Sequence, residues 1–325
     1  MVPKPSKWII GAMGMPDGRG VCEPTERGKS VANIKEGTVD YQGFKTYYKI
    51  VGEPREGTLP LVMLHGGPGS THFYLEPYEA MADRYGRQLV LYDQIGCGLS
   101  AIPHQDDDFY TYELWMDELD AVREALGLEH IHLFGHSWGG MLAMKYALRN
   151  DEGLASMIVA ASPAKIDTWL LEARRLVGYL PQEMQDALWE AEANGAAYDT
   201  PAAQAAFDEY YRRHVTGSAR PWPECIQKSF DMTGECYGVM QGASEFVVTG
   251  KMKDYDVTGE LPQLGVPTLL LSGTADEATA LVMKDALDTI PRCSWALIPG
   301  GAHMGHVQYP SEYAAAVEEF IEQHE

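Results

Sequence analysis

The sequence predicts an α/β fold: a mostly parallel central sheet flanked by helices, with an inserted helical cap. Three observations predict it. Short apolar runs alternate with amphipathic helical stretches from about residue 60 to residue 160. The alternation lapses between 164 and 256, where helical stretches follow one another without a convincing parallel strand, and then resumes. In the first half, Gly135-His136-Ser137-Trp138-Gly139-Gly140 places a serine among glycines at a strand-to-helix junction. The expected division is an irregular arm over 1–36, a sheet domain over 37–163 and 257–325, and a cap over 164–256.

Taken in order, 38–41 and 44–50 flank Gln42-Gly43 and read as a β-hairpin. Residues 61–64 are a short buried strand running into His65-Gly66-Gly67-Pro68-Gly69. Residues 88–92 form the next strand, followed by a glycine-rich turn. A helix over 111–126 carries Leu114, Leu119, Val122 and Leu126 on one face and stops at Gly127. Residues 130–134 are the strand before the serine, 141–149 the helix after it, and 156–160 another strand. The cap holds helices over 166–176, 181–192 and 201–214. Strands follow at 266–272 and 294–298, with helices over 279–289 and 311–324.

Of 325 residues, 45% are hydrophobic, enough for a sizeable core. Lys plus Arg is 25 against 47 Asp plus Glu, a formal net charge of −22. That balance argues against nucleic acid or an anionic membrane as a partner. It is mostly a solvated acidic surface, favourable to cationic ligands. Five cysteines without a C-x-x-C spacing indicate neither a disulfide framework nor a zinc site, and suit a reducing, cytoplasmic setting. The stretch after Lys4 and Lys7 is too short and glycine-broken for a secretory leader, and no apolar run is long enough to span a membrane.

A serine on a sharp strand-to-helix turn can act as a nucleophile, and Gly135, Gly139 and Gly140 leave room for the chain to pass. Its hydroxyl needs a base within reach. Asp276 follows one late strand and His303 the next, giving the order Ser137, Asp276, His303. In those roles His303 takes the proton and Asp276 orients and stabilises the imidazolium. The backbone N–H groups of Gly67 and Trp138 are the oxyanion donors. Competing histidines are His65, His136 and, above all, His306. Asp93 precedes the serine and breaks the expected order, so it reads as structural; Cys97 reads as a buried small hydrophobe. Glu277 directly follows Asp276 and Glu245 lies in the cap, so the pair could hold a cationic group.

Four motifs in order now resemble the proline iminopeptidases: His65-Gly66-Gly67-Pro68-Gly69; Tyr92-Asp93-Gln94-Ile95-Gly96-Cys97-Gly98-Leu99-Ser100; the serine hexapeptide; and Gly273-Thr274-Ala275-Asp276-Glu277-Ala278-Thr279. The subgroup containing the tricorn-interacting factor and the L-amino-acid amidases is most similar, with Met240-Gln241-Gly242-Ala243-Ser244-Glu245-Phe246 and Lys253-Asp254-Tyr255-Asp256-Val257 resembling its cap. The resemblance implies an α/β-hydrolase fold with a helical cap and no metal or organic cofactor. It also implies a triad of Ser137, Asp276 and His303, an oxyanion hole of Gly67 and Trp138, and Glu245 and Glu277 as binders of a free α-amine. The implied substrate is a short peptide or amino-acid amide from which N-terminal proline or another small residue is released. Many members carry arginine where this chain has Ile95, which points to the amidase-like subgroup. The rivals are an esterase or lactonase acting on a small metabolite, and a non-catalytic small-ligand binder of the same fold. Epoxide hydrolases and haloalkane dehalogenases need aspartate in place of Ser137.

Overall fold

The computed structural model describes residues 32–195 and 198–325. Most of the expected N-terminal arm, like Cys22, lies outside the described residues. The first strand, β1 (Ile34–Tyr41), starts before residue 38. Its first three residues are exposed, as an edge strand allows, which is why no apolar alternation marks them. It pairs antiparallel with β2 (Phe44–Val51). Gln42 and Gly43 between them both have positive φ, 52° and 80°, the turn geometry that matches strand twist.

The remaining strands are β3 (Leu61–Leu64), β4 (Leu89–Tyr92), β5 (Ile131–His136), β6 (Leu154–Ala160), β7 (Thr268–Gly273) and β8 (Cys293–Ile298). The sheet order is β1-β2-β4-β3-β5-β6-β7-β8. From β4 to β8 every pairing is parallel, while β2 meets β4 antiparallel. The helices are α1 (Ala80–Tyr85), α2 (Tyr112–Leu126), α3 (Trp138–Arg149), α4 (Ile166–Val177), α5 (Gln182–Ala193), α6 (Pro201–Tyr210), α7 (Glu224–Asp231), α8 (Cys236–Met240), α9 (Ala280–Thr289), α10 (Gly305–Gln308) and α11 (Pro310–Ile321). A 3-10 stretch, His72–Glu79, precedes α1. Thr111 caps α2 by accepting from Leu114 N, and Gly127 closes it in the left-handed conformation.

Strand residues alternate between two apolar layers. Val62, Leu64, Val90 and Tyr92 face α2, α3 and α9, whereas Leu61, Met63, Leu89 and Leu91 face the 3-10 stretch, α1 and α11. Both faces are covered, as a parallel sheet requires. Helices α4 to α8 fall between β6 and β7, and residues of α4, α5 and α6 share a smaller apolar cluster with Phe246. The helix expected over 201–214 ends at Tyr210 and continues as a π turn, Tyr211–Val215. No helix among the described residues is long and apolar enough to cross a membrane.

The loops after β7 and β8 are packed backbone to backbone. A β-carbon on Gly273 would lie 1.8 Å from the carbonyl oxygen of Gly301. Gly273→Ala should therefore destabilise the protein by about 3 kcal/mol in chemical denaturation, because neither backbone can yield. Gly259→Ala, where an added β-carbon meets nothing within 4 Å, should stay within about 0.5 kcal/mol of the parent.

Candidate active site

Ser137 sits between β5 and α3 with φ 54° and ψ −123°, a strained conformation for a residue with a side chain. Surrounding glycines permit the turn. A β-carbon on Gly135 would be 2.1 Å from Gly139 O, and one on Gly139 would be 2.2 Å from Leu64 O. Ser137 N–H donates to Ala160 O at 2.9 Å. Helix α3 starts directly after the serine rather than at residue 141. Trp138 is thus its first residue, and a first-turn N–H has no partner within its own helix.

Gly67 has φ 114°, and an added β-carbon would come 2.6 Å from both Gly69 N and Ser70 N. Its conformation is open only to glycine. The loop is braced from outside: Ser70 N–H donates to Gly66 O, and Gly66 N–H donates to the Tyr74 hydroxyl at 2.7 Å.

Asp276 follows β7 and His303 follows β8. His303 Nδ1 donates to Asp276 Oδ1 at 3.0 Å, and the same oxygen accepts from Ala278 N–H at 2.8 Å. With Nδ1 so used, Nε2 is the nitrogen left for other work. No hydrogen bond joins His303 to the Ser137 hydroxyl in this structure, although both line one cavity. Burial works against a charged His303 ring, yet the charge and hydrogen bond of Asp276, then Glu277 and Glu245, push its pKa up to about 9. The other histidines are engaged elsewhere. His65 bonds Gly66 O and Gln94 N, and His306 bonds Tyr74 O and is held near pKa 3 by burial. Asp93 accepts from His72 and from Leu99 N–H, and Cys97 is buried with its thiol on Gln94 O.

A cavity of about 220 Å³ lies over Ser137. Gly66, Gly67, His136, Ser137 and His303 line its sheet side, and Phe207, Tyr211, Phe230, Tyr237 and Glu245 its cap side. Glu245 accepts from the Tyr237 hydroxyl at 2.9 Å. Glu277 is 1% exposed and sits behind the lining; neither of its carboxylate oxygens has a partner in good hydrogen-bond geometry, the nearby Tyr210 hydroxyl interacting with it only weakly. Burial, then the charge of Glu245, raises the Glu277 pKa well above the carboxylate range. Burial raises that of Glu245, opposed by His303 and Tyr237. Glu277, buried, and Glu245, half-buried, thus lie near one another with few hydrogen-bond partners between them.

Residues 60–310 match the family model for the α/β hydrolase fold. A proline iminopeptidase of Lactobacillus helveticus is 39% identical over 293 residues, covering 90% of this chain and 99% of its own. One from Clostridium botulinum is 40% identical over 290 residues, covering 89% and 98%. The chain belongs to the proline iminopeptidase family of α/β-hydrolases. The crystal structure of a proline iminopeptidase from Mycobacterium smegmatis superposes with a TM-score of 0.84 at 36% identity, covering 89% of this chain and 98% of that one. Within this proline iminopeptidase fold, Ile95 is fully buried and its N–H donates to the buried Glu118, so the position faces the core. Sequence reasoning did not find the aromatic cap residues Phe207, Tyr211, Phe230 and Tyr237. Their one signal was the tyrosine and tryptophan content of the cap.

The charge pattern sets an expected titration. Glu277→Gln removes a carboxylate that favours the imidazolium, so the His303 pKa should fall from about 9. NMR titration of the ring would read this directly, and an unchanged or higher value would contradict the arrangement.

Proposed function

We propose that the protein is a serine hydrolase that releases N-terminal proline or another small residue from short peptides or amino-acid amides. The observation that carries this reading is two acids beside the cavity that holds Ser137 and His303: Glu277, buried with neither oxygen well bonded, and Glu245, half-buried on the lining with the Tyr237 hydroxyl as its partner. An esterase for neutral metabolites has no use for such a pair, whereas a free α-ammonium supplies the cation it lacks. At an effective dielectric near 20, one such ion pair at ~4 Å is worth about 4 kcal/mol before desolvation. The family names of the relatives agree with a proline substrate.

In this mechanism the ammonium is gripped by Glu245 and Glu277, which sets the first carbonyl over Ser137. His303 Nε2 takes the hydroxyl proton as Oγ attacks, and Asp276 stabilises the imidazolium. The N–H groups of Gly67 and Trp138 receive the oxyanion. His303 then protonates the leaving amine, and water, activated by the same ring, hydrolyses the acyl-enzyme. Contacts between nucleophile and base often tighten only when substrate is bound, which suits the absence of a direct bond here. The aromatic cap residues bound the space for the side chain, and 164–256 act as the lid over it. The free thiols Cys97, Cys225, Cys236 and Cys293 support a reducing compartment such as the cytoplasm.

Ser137→Ala should lower turnover of a prolyl chromogenic amide by about 10⁴-fold or more; retained activity would refute the nucleophile. Glu245→Gln and Glu277→Gln should each raise KM for free-amine substrates by roughly 10-fold or more, about 1.4 kcal/mol, with a smaller effect on kcat. N-acetylated substrates cleaved as well as free ones would defeat the amine anchor.

A further inference from the structure

We propose that Tyr74 and His136 are positioning residues that tie the oxyanion loop to the backbone of His303. The proposal rests on the reading of Ser137 and His303 as nucleophile and base. His136 precedes the serine, but its ring turns inward and is 2% exposed. Its Nε2 lies 2.8 Å from the carbonyl oxygen of His303, and its Nδ1 lies 2.9 Å from the Tyr74 hydroxyl. That hydroxyl is 2.7 Å from Gly66 N.

One carbonyl fixes every proton in this chain. A carbonyl oxygen only accepts, so His136 Nε2 carries the hydrogen. The ring is neutral, because burial, then the nearby His303 and His306, holds its pKa well below the usual value. Nδ1 therefore carries a lone pair and accepts from Tyr74 O–H. The tyrosine oxygen, having donated, accepts from Gly66 N–H. Donors thus run without conflict from Gly66 through Tyr74 to His136, and His136 in turn donates to His303. All three links are buried, where an unmade hydrogen bond is costly and a made one is rigid.

The geometry gives the chain a task. Gly66 adjoins Gly67, whose N–H is the proposed oxyanion donor, and His303 is the proposed base. The His303 peptide is held on both sides: its N–H donates to His214 O of the π turn at 2.9 Å, and its C=O accepts from His136. A neutral His136 also matters for charge. Its ring centroid is 4.7 Å from that of His303, so a second imidazolium there would oppose the one formed in the reaction.

The test uses the full-length protein and a prolyl chromogenic amide, with kcat normalised to the folded fraction from near-UV circular dichroism. His136→Phe should lower kcat by about 10²-fold, as expected for a misplaced base, and leave KM within about twofold. His136→Gln should recover most of that loss, because the amide nitrogen can donate to His303 O while its oxygen accepts from Tyr74. Tyr74→Phe should also lower kcat, and combining it with His136→Phe should cost no more than His136→Phe alone. Nitrogen-15 NMR of the parent should show His136 protonated at Nε2 and bare at Nδ1, a readout independent of activity. Normal kcat in folded His136→Phe, no recovery in folded His136→Gln, or the opposite tautomer would each overturn the proposal. Ser137→Ala run alongside separates the cases: if it remains active the nucleophile assignment has failed, and if it is dead while His136→Phe is active only the relay has failed.

Discussion

Backbone meets backbone at the C-terminal edge of the sheet, and the rest of the site depends on that contact. The turn after β5 can lie against the end of β3 only because Gly135 and Gly139 have no side chains. Once the turn is this tight, Ser137 is forced to positive φ and α3 starts at the next residue. The N–H groups of Gly140 and Met141 close on Ser137 O, while that of Trp138, the first helical residue, has no partner inside the helix. Gly66 is the next layer: a β-carbon there would be 3.0 Å from both Ser137 Cβ and the Tyr74 hydroxyl. The strain at one residue is thus offset by packing and hydrogen bonds contributed by β3, β5, β6 and the Tyr74 segment.

The second half of the site hangs from β7 and β8, and the cap is fastened to it. His214 O accepts from both Glu277 N and His303 N, and Val215 O accepts from Met304 N. The His214 ring bonds Ala275 O in the acid loop. The loops after β7 and β8 and the π turn therefore share one hydrogen-bonded seam. His214 and Val215 end the helical stretch, where carbonyls have no partner within the helix, and here they accept from the seam. His303 is thus tied through its backbone N–H to the π turn that extends α6, which links the position of α6 to the placement of His303.

The sheet and its loops were legible because most strands are short apolar runs with glycine at or soon after their ends, and because chain order assigns the loops. Thr111 and Gly127 marked the ends of α2. The segment His72–Glu79 was not legible: it is a 3-10 stretch containing Pro77, and its apolar residues have no helical period. The start of β1 was hidden by exposed, charged residues. His136 counted as a competitor for the base, since a sequence shows that a histidine adjoins a serine but not that its ring turns into the core. The cap aromatics were hidden for a similar reason. Helices that pack on one another and on a cavity have apolar residues on several faces, so periodicity cannot say which face sees the cavity. Glu277 was legible by adjacency to Asp276, but its depth behind the lining was not.

Burial disfavours charge on Glu277 and Glu245, and a nearby cation favours it. Asp276, Glu277 and Glu245 surround His303, and their combined field holds the imidazole at a pKa of about 9. A ring so held is protonated near neutrality and is no base. In the amine-anchor reading, the substrate brings its own positive charge to Glu245 and Glu277, and that charge opposes the one on His303. Linkage then works in both directions: ammonium binding lowers the affinity of His303 for its proton, and a protonated His303 weakens ammonium binding by the same factor. On that reading the imidazolium balances the acids before substrate arrives, and substrate then takes over that role and frees the ring to act as a base. An N-blocked ligand of the same shape would fill the cavity and leave His303 protonated, so discrimination would act on the chemical step as well as on binding.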